Sequence, residues 1–277
     1  AGLVSAYIAA AVKAKVALIE KHKMGGDCLN TGCVPSKALI RSAKAADTLR
    51  HANRYGLESV PVKGSFKTIM NRVKDVIAKV EPHDSPERYR KLGVDCIAGE
   101  ASFVSPWELE VRHNDGRTER LTARSIVVAT GGKPAVPPIP GLKDMQPLTS
   151  DNLWELEEQP ERLLVLGGGP IGSELAHAFA RLGSKVTQVE MGERLLAKED
   201  EDVSELVLKQ FQADGVDVRL KHAAAEFRIE EGEKVAYCEH AGERVRIPFD
   251  QVLVAVGRAA NTAGLNLERI GVDTLPN

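Results

Sequence analysis

The chain has 277 residues, with 37 Lys and Arg against 39 Asp and Glu. This length suffices for two domains with separate cores, and the balanced charge indicates neither a nucleic-acid-binding surface nor a membrane-surface footprint. Four cysteines suit a reducing compartment better than a disulfide-stapled secreted protein, so we expect a cytoplasmic protein.

The first twenty residues are apolar, but Lys13 and Lys15 interrupt the run that a signal peptide or membrane segment would need. The pattern instead predicts a helix over residues 3–12 and a strand over residues 15–19. Glu20 stands at the end of that strand.

Residues 25–37 read Gly-Gly-Asp-Cys-Leu-Asn-Thr-Gly-Cys-Val-Pro-Ser-Lys and lead into a predicted helix. Pro35 is tolerated in a first turn, so Cys33 lies at the helix N-terminus, where backbone N–H groups and the macrodipole stabilise a thiolate. A redox pair is the preferred interpretation. Two unrelated buried cysteines, half of a zinc site and a static crosslink remain alternatives, although zinc needs a second ligand pair and Cys96 and Cys238 are isolated.

A disulfide between the paired cysteines would constrain the backbone between them. Five residues of helix separate two Cα atoms by about 7.5 Å along the axis, beyond the reach of a disulfide. A bonded Cys28 and Cys33 would therefore exclude plain helix between them. Gly25, Gly26 and Gly32 supply permissive backbone for a distorted turn.

Further elements follow between residues 66 and 151, separated by proline, glycine and asparagine breaks. The sequence predicts, in order, a helix over 66–80, a break over 81–86, a short helix over 87–92, strands over 96–103 and 108–112, a turn at 114–116, an apolar strand over 125–131 and a proline-rich linker over 133–141. We place the domain boundary near Asp151.

A complete nucleotide-binding unit follows that boundary. An apolar strand over residues 162–166 runs into Gly167-x-Gly169-x-x-Gly172, which opens a helix, and Glu190 ends the next strand. The first glycine makes the tight turn, the second admits a pyrophosphate to the backbone, and the third allows close helix packing. The carboxylate accepts hydrogen bonds from the adenosine ribose.

The carboxylate also predicts the coenzyme. Glu190 accepts hydrogen bonds from ribose hydroxyls but repels a 2′-phosphate, so we expect NAD rather than NADP. Arg194, one turn away, is the nearest residue that would favour the phosphate.

The same unit occurs twice. The opening superposes without a gap on the later stretch, matching Gly2 with Gly172, Lys15 with Lys185, Val16 with Val186 and Glu20 with Glu190. The first copy thus begins at the third glycine, and Glu20 is predicted to bind a second ribose. A second match pairs Ser125–Gly131 with Gln251–Gly257, both apolar and ending in glycine.

The cysteine stretch resembles the active-site signature of the flavin-dependent pyridine nucleotide-disulfide oxidoreductases. The resemblance implies an α/β fold with two Rossmann-like, doubly wound parallel-sheet domains: an FAD-binding domain over 1–150, an NAD-binding domain over 151–265, and a return towards the FAD domain over 266–277. It implies FAD and NAD as cofactors, a small-molecule disulfide, dithiol or lipoyl group as substrate, and a homodimer for the full-length enzyme. It implies no metal, nucleic-acid or membrane partner.

The resemblance also assigns roles to single residues. Cys28 would be the interchange thiol, and Cys33 the flavin-side thiol that ionises first. Lys37 would pack near the flavin and pair with Glu174. Asp27 stands where the family often has threonine, and Ala260 departs from the usual Gly-Arg-x-Pro-Asn. The positions expected to contact a cofactor are Gly2, Glu20, Gly25, Gly26, Lys37, Ala101, Ala129, Thr130 and Gly131 for FAD, and Gly167, Gly169, Gly172, Glu190 and Gly257 for NAD.

Within the family, residues 183–190 favour dihydrolipoamide dehydrogenase and residues 33–37 favour mercuric reductase, and we rank the former first. A fragment that binds a dinucleotide without turnover is the alternative from another class. Because the chain opens at the third glycine and shows no carboxy-terminal dimer domain, we expect weak FAD binding, better-preserved NAD binding and no disulfide turnover by this chain alone. We interpret His83, His177, Trp107 and Trp154 as structural.

Overall fold

A computed structural model describes residues 1–62 and 64–275. The helices are α1 (Gly2–Ala11), α2 (Gly26–Asn30), α3 (Cys33–Arg50), α4 (Phe66–Val80), α5 (Pro86–Lys91), α6 (Pro170–Leu182) and α7 (Glu201–Ala213). Short 3-10 turns lie at Ala52–Tyr55, Glu81–Asp84, Lys143–Met145, Leu153–Glu155 and Leu267–Ile270. None of these helices is long and apolar enough to cross a membrane.

The strands of the same residues fall in four groups by pairing. They are β1 (Val16–Glu20), β2 (Val94–Ser105), β3 (Glu108–His113), β4 (Thr118–Thr122), β5 (Gly132–Pro134), β6 (Arg162–Leu166), β7 (Lys185–Val189), β8 (Asp217–Arg219), β9 (Ala223–Glu230), β10 (Glu233–His240), β11 (Glu243–Phe249), β12 (Gln251–Val254) and β13 (Arg258–Ala260). The predicted α/β class is confirmed.

The described chain divides into two compact units. The first comprises Ala1–Asn30, Ile77–Lys133 and the described residues from Ala259 onward, and the second comprises the described residues of Thr31–Val76 together with Pro134–Arg258. This division does not fall at the boundary predicted near Asp151. Of the predicted return segment, residues 276 and 277 lie outside the described part of the chain.

The first unit is built on one mixed sheet in the order β1-β2-β3-β4. Strands β1 and β2 are parallel, whereas β2, β3 and β4 form an antiparallel meander. Ala6 and Ala10 of α1 pack with Tyr89 and Val94 in a small core. This sheet presents the end of β1, and therefore Glu20, beside the start of the meander.

The second unit contains a parallel sheet in the order β12-β6-β7-β8. The chain order reverses between β12 and β6, and in open parallel sheets nucleotides bind at the carboxyl ends of strands beside such a reversal. The fingerprint glycines follow β6 directly. An antiparallel sheet, β9-β10-β11, adds to the same core.

The predicted linker over residues 133–141 begins where the chain passes from one unit to the other, since Lys133 ends a segment of the first unit and Pro134 begins one of the second. Part of it also packs on the second unit. Ile139 and Leu142 contribute to the core of the second unit, and the Phe227 N–H donates to the Pro140 carbonyl at 2.8 Å. Gly141 has φ +75°, and a Cβ there would lie 2.0 Å from the Phe227 carbonyl oxygen. Glycine thus permits the close approach that turns a proline-rich run into part of the fold.

Several predicted elements are confirmed within one or two residues, among them α1, β1, α4, α5, β3, β6 and α6. The strand predicted over residues 125–131 is wrong. Val127 and Val128 are 67% and 48% exposed, and no strand of the described residues pairs with this segment. An apolar run becomes a strand where a neighbour supplies hydrogen bonds. The matching strand β12 of the second copy pairs with β6, whereas no described strand supplies such bonds to residues 125–131.

Candidate redox and dinucleotide-binding sites

The fingerprint glycines of the second unit have the geometry that a dinucleotide requires. Gly167 has φ +107°, and a Cβ there would lie 2.4 Å from the Ala255 carbonyl oxygen. A Cβ on Gly172 would lie 2.2 Å from the Gly167 carbonyl oxygen, whereas one on Gly169 would meet nothing within 4 Å. Gly167 and Gly172 are therefore needed by the fold itself, and Gly169 faces open space that a pyrophosphate fits.

Helix α6 begins beside that space. Gly169 is its N-cap and no side chain caps the helix, while Pro170 occupies the first turn. The first N–H groups of a helix and its macrodipole attract an anion. The residues present thus fit the pyrophosphate of a dinucleotide.

Glu190 is held in place by backbone N–H groups. The Gly168 N–H donates to Glu190 Oε2 at 2.6 Å, and the Gly192 N–H donates to Oε1 at 2.6 Å. A Cβ on either glycine would crowd this carboxylate. The sequence prediction named Glu190 but missed both glycines, which the Gly-Gly-Gly run and the Glu-x-Gly spacing could have indicated.

Two buried polar residues hold the fingerprint loop by hydrogen bonds to its backbone carbonyls. Gln188 Nε2 donates to the Gly167 carbonyl at 3.0 Å and lies 3.2 Å from Ser173 Oγ, which donates to the Gly168 carbonyl. Gln188 is fully buried and Ser173 nearly so. Sequence reasoning missed this support, for which a glutamine in an otherwise apolar strand was the available signal.

Gly257 follows β12 at the same sheet edge. Its φ is +151°, and its carbonyl accepts a hydrogen bond from the Ala135 N–H at 3.0 Å. The chain thus leaves the sheet there through a backbone conformation that favours glycine. Its predicted contact with NAD stays a prediction.

The first copy of the repeat places its predicted residues in the first unit. A Cβ on Gly2 would lie 3.3 Å from Ala129 Cβ and 3.8 Å from Leu18 Cδ1, so the start of α1, β1 and the 125–131 segment meet here. The His22 N–H donates to Glu20 Oε1 at 2.8 Å. No side chain caps α1 at Ala1, which leaves helix N–H donors for an anion.

The Ala-Thr-Gly segment is anchored by Asn261. Thr130 Oγ1 donates to the Asn261 carbonyl at 2.6 Å, and Asn261 Nδ2 donates to the Thr130 carbonyl at 3.0 Å. Gly131 has φ +68°, and Asp27 Oδ2 lies 3.9 Å from where its Cβ would be. Ala101 lies in β2 opposite Val111. Helix N–H groups, a strand-end carboxylate and a left-handed glycine form a donor and acceptor set that fits FAD in the first unit.

The loop before Cys28 has the distorted backbone that the glycines predict. Gly25 and Gly26 have φ +95° and +60°, and a Cβ on Gly25 would lie 2.3 Å from the Leu29 side chain. Asn30 Nδ2 donates to the Met24 and Gly26 carbonyls, both at 3.0 Å. Cys28 lies exposed in α2 of this braced loop.

Cys33 is the first residue of α3 and is also exposed. The helix is interrupted at Thr31 and Gly32, where Gly32 has φ −117° and ψ −107°. The segment between the cysteines is thus not plain helix, as a disulfide between them would require. The disulfide itself stays a prediction.

The other two cysteines have different surroundings. Burial raises the pKa of the Cys238 thiol to about 11, and burial raises the pKa of the partly buried Cys96 thiol. Raised pKa values disfavour thiolate chemistry. Among the described residues, no group of three or more His, Cys, Asp or Glu is arranged to hold a metal ion.

Lys37 and Glu174 meet as the resemblance implies. Lys37 Nζ lies 2.7 Å from Glu174 Oε1 and 2.6 Å from Oε2. Lys37 belongs to α3 and Glu174 to α6, so the ion pair ties the cysteine helix to the fingerprint helix within the second unit. Both side chains are exposed, so the pair positions groups more than it stabilises the fold.

The same two helices are joined at their other ends. Arg181 donates to Asp214 Oδ2 at 2.9 Å and lies 4.0 Å from Asp47 Oδ2, and Arg50 donates to the Arg181 carbonyl at 2.6 Å. His177 Nε2 lies 2.5 Å from the same Asp214 oxygen. Helix α3 is therefore fixed along its length, not at Lys37 alone.

Burial alone would raise the pKa of Asp214, but hydrogen bonds from His177, Arg181 and Gln210 and the charge of Arg181 together hold it below its usual value. His177 also packs on Phe211, with ring centroids 4.6 Å apart. The structural interpretation of His177 is thus supported by its contacts.

The two tryptophans differ. Trp107 is 64% exposed, so its interpretation as a packing residue is wrong: it lies at the turn between β2 and β3, where its carbonyl accepts from the Ala123 N–H. Trp154 is 4% exposed and also donates hydrogen bonds through its indole.

His83 lies in the 3-10 turn Glu81–Asp84, and its carbonyl accepts a bond from Arg88.

Comparison with known proteins gives consistent matches over the whole chain. The family model described as pyridine nucleotide-disulphide oxidoreductase matches residues 1–277. Dihydrolipoyl dehydrogenase of Bacillus subtilis (strain 168) is 34% identical, over 100% of this chain and 60% of that protein. Mercuric reductase of Lysinibacillus sphaericus is 36% identical, over 95% of this chain and 47% of that protein.

Among solved structures, the Cu(II) complex of the HOCl-induced flavoprotein disulfide reductase RclA from Escherichia coli superposes with a TM-score of 0.83. It is 29% identical and is matched over 99% of this chain and 58% of that one. The chain spans 60% of the first of these curated relatives and 47% of the second.

Proposed function

Because the chain belongs to the pyridine nucleotide-disulphide oxidoreductase family, we propose that it carries the electron path of a flavin-dependent disulfide oxidoreductase. In this proposal NAD(H) binds at the fingerprint of the second unit and FAD binds at the first copy of the repeat. Cys28 and Cys33 exchange a disulfide for two thiols. FAD, when bound, would supply the redox chemistry that links the nicotinamide to the cysteines.

The observation that carries the proposal is the ion pair between Lys37 and Glu174. It joins the helix that Cys33 opens to the helix that the fingerprint opens, so one rigid contact relates the redox thiol to the nucleotide turn. Their connection is what an electron-transferring enzyme requires.

The cysteines have distinct roles. Cys33 stands at the first position of an 18-residue helix and would be the flavin-side thiol. Cys28 lies exposed in the short preceding helix and would attack the substrate disulfide. When both thiols are oxidised, one S–S bond forms and two electrons and two protons leave; reduction reverses this balance.

We propose NAD as the preferred coenzyme. Both Glu190 oxygens are already oriented by backbone N–H groups, which leaves lone pairs for ribose hydroxyls. Arg194 donates to the Ala197 carbonyl at 3.1 Å, and Lys221 pairs with Glu193 at 2.9 Å. These contacts engage Arg194, which lies four residues after Glu190, and Lys221, whose N–H donates to the Gly192 carbonyl, and this supports NAD over a 2′-phosphate.

For the substrate we propose a dithiol or lipoyl group, as the dihydrolipoyl dehydrogenase relative suggests. A mercuric reductase activity is the second candidate, because the mercuric reductase of Lysinibacillus sphaericus is 36% identical. The whole protein would act on a small molecule, as a cytoplasmic homodimer without nucleic-acid or membrane partners.

The test is reduction of bound flavin by NADH, followed by thiol counting. Purified protein, supplied with FAD, is mixed with NADH without oxygen, and its spectrum and titratable thiols are recorded. With two equivalents of NADH, one to reduce the disulfide through the flavin and one to bleach the flavin, we expect two additional thiols and flavin bleaching. The Cys28→Ser variant, which cannot form the disulfide, should still bleach but should gain no thiols. Oxidation of dihydrolipoamide would support the first substrate, and NADH-dependent loss of Hg²⁺ the second. Nucleotide binding without any thiol change would instead identify a non-catalytic dinucleotide-binding module.

A further inference from the structure

Pro35 leaves the backbone of the cysteine loop short of one hydrogen-bond donor. In an α-helix the N–H of residue 35 would donate to the carbonyl of residue 31, but proline has no N–H. The neighbouring bond is made normally, since the Ser36 N–H donates to the Gly32 carbonyl at 3.1 Å. The Thr31 carbonyl precedes the N-cap Gly32, lies outside the hydrogen bonds of α3 and is open to a donor from elsewhere.

Trp154 supplies that donor. Its indole N–H lies 3.0 Å from the Thr31 carbonyl and 2.7 Å from the Ser150 carbonyl, so the two oxygens share it. The side chain is 4% exposed, which shields the bond from water. Thr31 and Trp154 belong to the same unit.

The tryptophan is itself firmly held. Thr149 N–H donates to Asn152 Oδ1 at 2.7 Å, and Leu153 N–H donates to the Thr149 carbonyl at 3.1 Å. The preceding Leu148 is bonded to β12 through Val252 and Val254. A rigid turn attached to the parallel sheet thus presents the indole to the cysteine loop.

We propose that Trp154 is a positioning residue of the redox loop: its indole donates the hydrogen bond that an N–H at residue 35 would give in a continuous helix, fixes the Thr31 carbonyl and keeps the helix interrupted between Cys28 and Cys33. A disulfide across five residues needs that interruption. Trp154 therefore favours the disulfide by holding the backbone in a form that can close. The proposal rests on the redox role proposed above for the two cysteines.

The main test measures the disulfide equilibrium in mixtures of reduced and oxidised glutathione. Oxidised glutathione takes the two electrons and protons from the thiols and becomes two molecules of reduced glutathione. Alkylation followed by mass measurement counts the remaining thiols. In Trp154→Phe, which keeps an aromatic ring and loses the N–H, the equilibrium constant for disulfide formation should fall about threefold or more. Trp107→Phe, at an exposed tryptophan, is the matched control and should not change it.

The outcomes separate the two proposals. If the wild-type chain forms no disulfide between Cys28 and Cys33, the redox role fails and the inference fails with it. If the wild type forms the disulfide and a folded Trp154→Phe chain has the same equilibrium constant, the inference alone is overturned. Circular dichroism establishes whether the variant is folded.

A second variant tests the donor argument with Trp154 in place. Pro35→Ala returns an N–H at residue 35 that competes for the Thr31 carbonyl. The indole N–H of Trp154 should then exchange with deuterium about twofold faster or more, with the Trp107 indole signal as the internal reference. In the Pro35→Ala background, Trp154→Phe should shift the disulfide equilibrium less than in the wild type. Unchanged exchange, or an equal shift in both backgrounds, would count against the proposal.

Discussion

The two copies of the internal repeat share a sequence pattern and differ in backbone pairing. In the second copy, β12 lies parallel to β6, and the Ala255 N–H donates to the Leu166 carbonyl at 2.8 Å. In the first copy, residues 125–131 pair with no strand of the described chain and expose Val127 and Val128. An apolar pattern thus allows a segment to form a strand, but the strand forms only where a neighbouring strand is there to pair with it.

A local feature survives in both copies. Glu20 accepts a hydrogen bond from the N–H two residues later, that of His22, and Glu190 accepts one from Gly192. Glu20 ends a parallel strand, and Glu190 follows one. Features that depend on a few consecutive residues are therefore shared, while features that depend on distant pairing are not.

The largest expected difference between the copies is at the matched glycines, Gly172 and Gly2. A Cβ at Gly172 would lie 2.2 Å from a backbone oxygen, whereas one at Gly2 would lie 3.3 Å from the Ala129 methyl group. We expect Gly172→Ala to lower the free energy of unfolding by about 2–3 kcal/mol and to abolish NADH binding. Urea denaturation and NADH fluorescence titration measure the two effects.

Gly2→Ala is the control and should cost less than about 1 kcal/mol, because a side chain can yield by a few tenths of an ångström where a backbone cannot. Equal destabilisation by the two variants would mean that the copies are packed alike and would break the comparison.

The second prediction tests whether each copy of the repeat binds its own nucleotide, NADH in the second copy and FAD in the first. Glu190→Gln removes the charge from the ribose acceptor, and we expect NADH affinity to fall about tenfold, since charge-assisted hydrogen bonds are roughly twice as strong as neutral ones. Glu20→Gln should leave NADH affinity unchanged and lower the FAD content of the purified protein. A fall in NADH affinity in Glu20→Gln would show that the carboxylates are not specific to their own copies.

The contrast also explains which parts of the molecule could be predicted. The fingerprint, β6, α6 and Glu190 lie within about thirty consecutive residues, and local periodicity with glycine spacing was enough to find them. The strand over 125–131 depended on a distant partner and was predicted wrongly. The indole bond from Trp154 to Thr31 joins positions 123 residues apart, and no local pattern encodes it.

A third prediction compares two clusters in which a histidine Nε2 meets a carboxylate beside an arginine. Asp214 is buried in the second unit with His177 and Arg181, and Glu119 is half-exposed in the first unit with His113 and Arg117. The folded-state pKa of Asp214 is held low, so its contribution to stability is present above its unfolded pKa and is lost as pH falls through the folded pKa.

We therefore expect Asp214→Asn to lower the free energy of unfolding at pH 7 by about 1 kcal/mol or more, and by progressively less towards pH 3. Glu119→Gln should change it by less than about 1 kcal/mol at either pH, because an exposed ion pair is screened by water. Urea denaturation at pH 3, 5 and 7 measures both. A pH-independent loss in Asp214→Asn would mean that the carboxylate charge is not what stabilises the helix junction.

The last prediction concerns the valines that the repeat aligns, Val128 in the first copy and Val254 in the second. Threonine has nearly the shape of valine but places a hydroxyl where valine has a methyl group, and a buried hydroxyl without a partner costs about 1–3 kcal/mol. Val254 is 2% exposed in β12, so Val254→Thr should lower the free energy of unfolding by about that amount. Val128 is 48% exposed, so its hydroxyl would be hydrated and Val128→Thr should change stability by less than about 0.5 kcal/mol. Thermal and urea denaturation of the two variants under the same conditions give the comparison directly. If Val128→Thr proved as costly as Val254→Thr, the 125–131 segment would be covered in solution, and the two copies would be paired alike after all.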